Sequence, residues 1–461
     1  MKEYFWNKIP LEYFFIVIAL VFGMRLVFVN PPWQTNDEDR HFYNSWYYAN
    51  GYFKPEARDK KIGNPIPKTL LDEVGSFQGI RFSNDTRIVK AKLDSLQSVL
   101  YEKTDTVFYN NPNYNTNPVG YLPNIIGVKL GELYKKNPIV VHWWGRAFGL
   151  FAYLIIVFFA IRIIPVYKNV LMLVALAPMS LYQAASITYD TLCNATTFLI
   201  MAFFIKWLLQ KEKISTRELW WFCFAFTIQV FSKSGYFFIP LLTLMIPAEK
   251  FGFSYSKIKL LVLFAAIIMI PKFTWGVYIN SLHFDGGKPL QSDYLFSPSQ
   301  NLAYHLKNIP GMISDLVANV LSQGKNWMIG GIGRFGYSYT PLPGGLILFY
   351  VLILLTMASV DHDNNFKLTR MQRVISFFIL LASLAAIIVG LYLTISPVGA
   401  RVIFGAQGRY FIPIIPLLLF QLFGTIPNNV KKFLPLVTIL ISIFILYRSV
   451  SFIDETFYTA N

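Results

Sequence analysis

The chain of 461 residues has few cysteines, few acidic residues and few charges overall. Its two cysteines, Cys193 and Cys223, both lie in apolar segments, which argues against a disulfide framework or a cysteine metal site. Charged residues make up 14% of the chain, too small a share to cover the surface of a soluble globule of this size. The net charge of +16 is typical of nucleic-acid binders, but the basic residues lie in short polar connections and long loops. That distribution favours membrane topology over nucleic-acid binding.

What the chain does have is apolar sequence. Hydrophobic residues make up 54% of it and the mean hydropathy is +0.44. Apolar runs of roughly 16 to 22 residues recur, the length at which a helix crosses a hydrocarbon core of ~30 Å. We therefore predict an all-α polytopic membrane protein, with a single membrane domain over residues 1–461 and about eleven transmembrane helices. The predicted spans are 11–29, 139–161, 169–187, 191–209, 219–231, 235–247, 260–279, 344–359, 374–395, 410–423 and 433–447.

The short connections between these spans predict the orientation. A cytoplasmic N-terminus places their basic residues in the cytoplasm, in agreement with the positive-inside rule; these are Lys2, Lys8, Arg162, Lys168, Lys211, Lys213, Arg217, Lys250, Lys257, Lys259, Arg370, Arg373, Lys431 and Lys432. Two large loops, 30–137 and 280–343, and the tail 454–461 then lie outside. In the first loop we expect surface helices, one around Trp46, Tyr47 and Tyr48 at headgroup level and one within 70–100. The first span lacks a small-residue cleavage site, so we interpret it as a retained helix.

Three consecutive acids and a histidine follow the first span. Pro31 and Pro32 close that span, and Asp37, Glu38, Asp39 and His41 come directly after. Carboxylates just outside a first transmembrane helix favour a catalytic base or a cation site. The alternative is a capped helix start, since Asn36 or Asp37 is a good N-cap and acids favour a first helical turn. That alternative explains one or two of the acids.

Other polar groups are predicted at the same membrane boundary. Asp190 falls in a tight outer turn, where it can serve as a metal ligand or orient an acceptor, or simply cap the fourth span. Lys233, Arg401 and Arg409 are cations on outer connections, against the positive-inside bias. A phosphate at headgroup depth would explain them, and so would lipid headgroups or a carboxylate. Arg146, within the second span, needs a partner at membrane depth.

A glycine-rich segment, Gly330-Gly331-Ile332-Gly333, precedes the eighth span. No strand precedes it and no Gly-Lys-Ser/Thr follows, so nucleotide binding is not expected. We interpret the segment as part of a tightly folded outer loop.

Together these motifs resemble a known family. Pro31-Pro32 followed by Asp37-Glu38-x-x-His41-Phe42 resembles the opening of the DUF2142 family of bacterial membrane proteins, grouped with the GT-C glycosyltransferases. Further matches follow in order up to about residue 416: Pro178, Ser186-x-x-Tyr189-Asp190, Lys233 with Tyr236, the 333–343 segment, and Gln407-Gly408-Arg409-Tyr410 with Pro413. The chain departs from the family pattern because residues 33–36 are inserted between the two prolines and the acidic pair. It also has Arg334-Phe335-Gly336-Tyr337 where the family usually shows Gly-Trp.

The resemblance implies a GT-C-like fold and a glycosyltransferase in the bacterial cytoplasmic membrane. A sugar would move from a polyprenyl-phosphate donor to a cell-envelope glycan or lipid acceptor on the outer face. In that chemistry the catalytic candidates are Asp37, Glu38 and His41, with Asp37 favoured as the base, and single displacement predicts inversion. The substrate-binding candidates are Asp190, Lys233, Gln407, Arg409 and Tyr410, with the two cations facing the phosphate.

Several further expectations accompany this interpretation. A divalent cation, Mg²⁺ or Mn²⁺, is possible, with Asp39 and Asp190 as its ligands. Membrane lipids are partners, whereas neither a nucleotide nor a nucleic acid is expected. Tyr43, Trp46 and Tyr47 can stack on a sugar or anchor at the interface. The alternatives are a transporter or flippase of lipid-linked glycans, which would need polar groups near mid-membrane or symmetric halves, and a glycan polymerase or ligase.

Overall fold

The protein is described by a computed structural model over residues 9–58, 61–81, 87–111, 116–253, 256–281, 297–362 and 368–459. Within these ranges, six helical segments are long and apolar enough to cross a membrane. They are Leu11–Val29, Pro138–Ile163, Asp190–Leu209, Ser256–Ile279, Arg370–Thr394 and Asn428–Phe457. The prediction of an all-α, multi-pass membrane protein is confirmed at this level.

The α-helices in chain order are α1 (Leu11–Val29), α2 (Glu38–Ala49), α3 (Lys68–Ser76), α4 (Lys90–Leu96), α5 (Leu122–Tyr134), α6 (Pro138–Ile163), α7 (Lys168–Ala175), α8 (Pro178–Ala184), α9 (Asp190–Leu209), α10 (Thr216–Ser232), α11 (Ser256–Pro271), α12 (Val277–Ser281), α13 (Pro298–Leu306), α14 (Ile309–Gly333), α15 (Gly344–Val360), α16 (Arg370–Thr394), α17 (Ile415–Leu419), α18 (Asn428–Lys431) and α19 (Leu434–Phe457). The strands are β1 (Glu56–Arg58), β2 (Lys61–Pro67), β3 (Ile88–Val89), β4 (Thr106–Asn110), β5 (Arg334–Phe335), β6 (Thr340–Pro341) and β7 (Tyr458–Thr459).

Five of the eleven predicted spans are shorter or irregular. The spans 219–231 and 344–359 lie in α10 and α15, each of 17 residues. The span 235–247 consists largely of 3₁₀ turns, including Ile239–Met245, whereas the span 410–423 begins in the 3₁₀ segment Gly408–Ile414 and continues into the short helix α17. Both carry prolines, which lack the N–H that a continuous helix needs. Apolar composition alone therefore overestimates the number of continuous helices of spanning length.

The fifth, 169–187, is broken into α7 and α8. Pro178 opens α8 at a position where its missing N–H costs nothing, so α7 ends at Ala175. Carbonyls in α7 find side-chain partners: Ala175 accepts from the Tyr153 hydroxyl at 2.9 Å, and Leu173 from the Tyr350 hydroxyl at 2.6 Å. The chain then turns at 185–189 and enters α9, which brings Asp190 beside the first loop.

The first loop is folded, with its own sheet and aromatic core. Strands β1, β2 and β4 form an antiparallel sheet in that order, with Glu56 opposite Gly63 and Gly63 opposite Asn110. Trp46 Nε1 and the Tyr101 hydroxyl both donate to Glu132 Oε1 of α5, at 2.9 and 2.6 Å.

Two predictions about the surface of this loop were wrong. Tyr43, Trp46, Tyr47 and Tyr48 are all buried in the loop core, so their side chains face neither lipid headgroups nor a sugar. The expected surface helix within 70–100 is instead two short helices, α3 and α4, separated by a 3₁₀ turn and β3.

The C-terminal tail joins the first loop. Strand β7 pairs in parallel with β3, placing Tyr458 opposite Ile88, and Lys90 Nζ lies 3.1 Å from Asp454 Oδ1. The tail and the first loop therefore share one side of the molecule.

The second large loop is also more regular than expected. Its residues 282–296 lie outside the described part, and α13 and the 25-residue α14 follow. The glycine-rich segment ends α14, and β5 and β6 then form a tight hairpin with Arg334 opposite Pro341. The interpretation of Gly330–Gly333 as part of a loop was therefore wrong, because these residues form the last turn of α14 and the tight turn follows them.

Candidate functional site

Two left-handed residues direct the chain between α1 and α2. Trp33 has φ 55° and Asp37 has φ 58°, a conformation that L-residues other than glycine adopt only at a cost. Trp33 is fully buried, with ring centroids 5.4 Å from Phe77 and 4.9 Å from His142. Asp37 is the N-cap residue of α2 by position but makes no side-chain capping hydrogen bond, whereas Glu38 and Asp39 lie in the first turn of the helix, as the helix-start interpretation expected. The adjacent acids Asp37 and Glu38 enter two different environments.

Asp37 lies in a partly open cluster of polar groups. Its side chain is 32% exposed, and its Oδ1 accepts from the Tyr337 hydroxyl at 3.1 Å. Arg409 Nη2 lies 3.5 Å from Oδ2, and Arg40 Nη1 lies 3.9 Å from Oδ1. Burial opposes ionisation, but Arg409, His41, Arg40 and the Tyr337 hydrogen bond outweigh it and hold the pKa of Asp37 below its ordinary value of 3.8. Asp37 is therefore an ionised and accessible carboxylate at neutral pH.

Arg409 links Asp37 to a second carboxylate, Asp190. Its side chain is only 4% exposed; its Nε lies 3.5 Å from Asp190 Oδ2, and its Nη1 donates to the Asn36 carbonyl at 3.1 Å. Lys233 Nζ lies 3.1 Å from Asp190 Oδ1 and 3.5 Å from the centroid of the Tyr410 ring. Asp190, Lys233, Arg409 and Tyr410, predicted from separate motifs, thus form one cluster with Asp37.

Glycines let the Arg409 segment approach α14. A Cβ on Gly408 would lie 2.1 Å from the Trp327 carbonyl oxygen and 2.3 Å from the Gly331 amide nitrogen, so only glycine fits there. The glycines of α14 thus serve close backbone packing beside Arg409. Gln407 lies at the same contact, and its Oε1 is buried without a hydrogen-bond partner among the described residues.

Glu38 belongs to a separate and fully buried cluster. Arg146 forms a bidentate ion pair with its carboxylate: Nε donates to Oε1 at 2.8 Å and Nη2 donates to Oε2 at 2.6 Å. His142 Nε2 lies 3.3 Å from Oε1. The backbone N–H groups of Ile187 and Thr35 donate to the same carboxylate at 3.0 and 3.3 Å. Although burial opposes its ionisation, these partners hold the pKa of Glu38 well below its usual range.

Arg146 completes this cluster by binding the end of α1. It donates to the carbonyls of Val27, Asn30 and Pro31 at 3.0, 2.6 and 2.9 Å. The sequence predicted that Arg146, within a span, needs a partner. That partner is Glu38, together with these three carbonyls. Both side chains are completely buried, so Glu38 has no access to a substrate and cannot take a proton from one.

His41 lies next to the cluster around Asp37 and is itself buried. Its Nδ1 is 2.5 Å from the Tyr121 hydroxyl, and its ring meets Tyr189 edge to face at 5.0 Å between centroids. Burial lowers the pKa of His41 to about 4 despite the nearby Asp37, so the imidazole is neutral at pH 7.

The two acids considered as metal ligands each pair with a basic residue. Asp39 Oδ2 lies 3.0 Å from Arg81 Nη2, whereas Asp190 pairs with Lys233 and Arg409. Across the described ranges, no group of three or more His, Cys, Asp or Glu residues is arranged to hold a metal ion.

Some residues of the site were not anticipated from the sequence. Tyr337 bonds Asp37, and the neighbouring Ser338 donates to Asn36 Oδ1 at 2.7 Å. His142 joins the buried cluster, and Arg81 stacks over the Tyr337 ring at 4.8 Å. The only local signal was the departure Arg334-Phe335-Gly336-Tyr337, which places a tyrosine in the hairpin. Arg401, by contrast, is exposed and takes no part in the cluster.

Comparison with known proteins gives one match. No curated protein and no solved structure matches the chain. One family model, that of the predicted membrane proteins called DUF2142, matches residues 20–418 and so includes every residue of both clusters. The chain therefore belongs to the DUF2142 family of predicted membrane proteins.

Proposed function

We propose that the protein is an inverting glycosyltransferase with a polyprenyl-phosphate sugar as donor and a cell-envelope glycan or lipid as acceptor. The observation that carries the proposal is the cluster around Asp37, where an ionised, partly exposed carboxylate lies next to buried and half-buried cations. In such a pairing the carboxylate can take a proton from the acceptor, and the cations can stabilise the anionic leaving group.

Asp37 supplies the base. The acceptor hydroxyl attacks the anomeric carbon as its proton passes to Asp37, and the bond from that carbon to the phosphate oxygen breaks with its electron pair on the phosphate. Single displacement inverts the anomeric centre. The low pKa of Asp37 makes it a weak base, and its contribution rests on its position and on the field of the neighbouring cations.

The cations divide into two roles. Lys233 is 21% exposed and Arg40 is 44% exposed, so both can meet a lipid phosphate. Arg409 is buried and already spans Asp37 and Asp190, so we assign it to holding the two carboxylates and to the electrostatic field at the leaving oxygen. Gln407 Oε1, which lacks a partner within the described ranges, and the Tyr410 ring complete the candidate substrate contacts.

We further propose a GT-C-like fold, with the cluster on the outer face of the bacterial cytoplasmic membrane. The distribution of Lys and Arg in the short connections supports this orientation. The test is labelling of single cysteines by an impermeant maleimide in intact cells, after replacement of Cys193 and Cys223 by alanine. Cysteine in place of the exposed Glu102 should react and cysteine in place of the exposed Lys211 should not. The reverse pattern would refute the orientation.

The catalytic test is transfer from a panel of short-chain polyprenyl-phosphate hexoses to membranes that supply the acceptor. Asp37→Asn should lower kcat by several powers of ten, because an amide keeps the shape but takes no proton. Lys233→Gln should mainly raise KM for the donor. Asp94→Asn, which changes an exposed acid of the same loop outside the cluster, is the matched control and should be unaffected.

Two outcomes would reject the proposal. One is wild-type protein that transfers no sugar from any donor of the panel. The other is Asp37→Asn protein with wild-type turnover. Movement of a labelled lipid-linked sugar between leaflets without a new glycosidic bond would favour the transporter alternative.

A further inference from the structure

The helix α14 carries an exposed apolar face that no other described element covers. Ile313, Val317 and Leu321 are 53%, 52% and 80% exposed, and Ile309 begins the same stripe at a spacing of four residues. This spacing places all four on one side of the helix. The remaining exposed positions of this stretch, Pro310, Ser314, Ala318 and Ser322, carry no charge.

Charges bound this face at both ends. Lys307 precedes it and Lys325 follows it, and both are exposed. Between them residues 309–324 extend for about 24 Å of helix at 1.5 Å per residue. The single charged residue of the stretch, Asp315, lies on the opposite side, where its Oδ2 accepts from the Tyr392 hydroxyl at 3.2 Å. A helix face in water would be expected to carry charges along this length, whereas lysines at the two ends of an apolar face are typical of a lipid boundary.

The opposite side of α14 packs against one end of the spanning helix α16. Asn319 donates to the Arg401 carbonyl at 2.7 Å, and the Trp327 and Phe411 ring centroids are 5.1 Å apart. The contacts with α16 itself involve residues of its last turns, such as Ile388 and Tyr392. A helix of 25 residues, about 37 Å long, would contact much more of α16 if the two ran side by side. α14 therefore packs against the last turns of α16 and not along its length, as is expected of a helix at a membrane interface.

α14 packs against a helix that itself has an exposed apolar surface. α16 is one of the six helices of spanning length, and its Phe377, Phe378 and Leu381 are 50%, 63% and 42% exposed. From these observations we infer that the Ile309–Leu321 face of α14 lies in the acyl-chain region of the lipid leaflet beside the candidate site. The second large loop is thus a membrane-binding element, and not only a connection in water.

This placement has a consequence for the site. Gly330 and Gly331, in the last turn of α14, pack directly against Gly408, next to Arg409. A lipid-borne molecule that moves along α14 within the leaflet therefore arrives at the polar cluster. The inference about lipid contact itself does not depend on the proposed glycosyl transfer.

The test uses nitroxide labels on single cysteines in proteoliposomes of phosphatidylethanolamine and phosphatidylglycerol, in the background without Cys193 and Cys223. Power saturation compares collisions with oxygen, which concentrates in acyl chains, and with a water-soluble nickel chelate. Labels at Ile313, Val317 and Leu321 should favour oxygen, and so should a label at the exposed Phe378 on α16. A label at the exposed Glu102 of the first loop should favour nickel.

Two results would overturn the inference. Labels at Ile313, Val317 and Leu321 as accessible to nickel as the label at Glu102 would place this face in water. Labels shielded from both collision partners would mean that protein, and not lipid, covers the face. Since no catalytic step enters the measurement, its outcome is separate from that of the transfer assay.

Discussion

Replacing Glu38 by glutamine should destabilise the protein far more than replacing its neighbour Asp37 by asparagine. The Glu38 carboxylate receives two Arg146 hydrogen bonds at 2.8 and 2.6 Å and two backbone N–H groups at 3.0 and 3.3 Å. Glutamine keeps the shape but removes the charge and turns an amide NH₂ toward other donors. Arg146, which is completely buried, then has no counter-charge.

The size of the effect follows from this geometry. Breaking a buried, hydrogen-bonded ion pair by removing one partner costs about 3–5 kcal/mol, which corresponds to roughly a 100-fold or larger change in the unfolding equilibrium. Asp37 is 32% exposed and its Arg409 contact is 3.5 Å long, so Asp37→Asn should cost ~1 kcal/mol or less. The double variant Glu38→Met with Arg146→Met should recover much of the loss, because no buried charge remains unpaired.

The measurement is reversible unfolding of the purified protein in mixed micelles, by titration with a denaturing detergent and tryptophan fluorescence. The two acids should behave oppositely, Asp37→Asn losing transfer but not stability and Glu38→Gln losing stability. If Glu38→Gln costs no more free energy of unfolding than Asp37→Asn, the buried cluster does not hold the fold as the distances suggest. The separation of the two acids would then be refuted.

Two further predictions concern the surroundings of Asp37. Gly408→Ala should destabilise by about 1–3 kcal/mol, since its Cβ would meet backbone atoms at 2.1 and 2.3 Å. The control Gly390→Ala in α16, where nothing lies within 4 Å, should be neutral or stabilising in the same unfolding titration, and equal effects would contradict the close approach. Because the pKa of Asp37 lies below 3.8, its loss of activity on protonation should occur below pH 3.8. Tyr337→Phe removes one hydrogen bond to the carboxylate and should move this acidic limb of kcat/KM to higher pH; an unchanged limb would show that this bond does not tune Asp37.

The local composition of the chain was enough to predict its class and several of the charged residues that the structure brings together. Length and hydropathy of a single segment decide whether it can cross a bilayer, and both are properties of sequence alone. That is why the six continuous spans, the polar motifs at the ends of spans and the position of Arg146 within a span could be recognised. The positions of Asp37, Asp190, Lys233 and Arg409 also followed, since charged residues at membrane boundaries stand out against apolar neighbours.

Only the tertiary structure decided what each of these residues contacts. Asp37 and Glu38 are adjacent and chemically similar, yet one faces an open cluster and the other a buried arginine, because the left-handed backbone at Asp37 separates their directions. Tyr337 reaches Asp37 across 300 positions of sequence. The apolar face of α14 escaped prediction because Asp315 and Asn319, which serve the packed side, lower the average over the whole helix. Composition records what a segment contains, whereas packing alone determines which side of it meets protein and which side meets lipid.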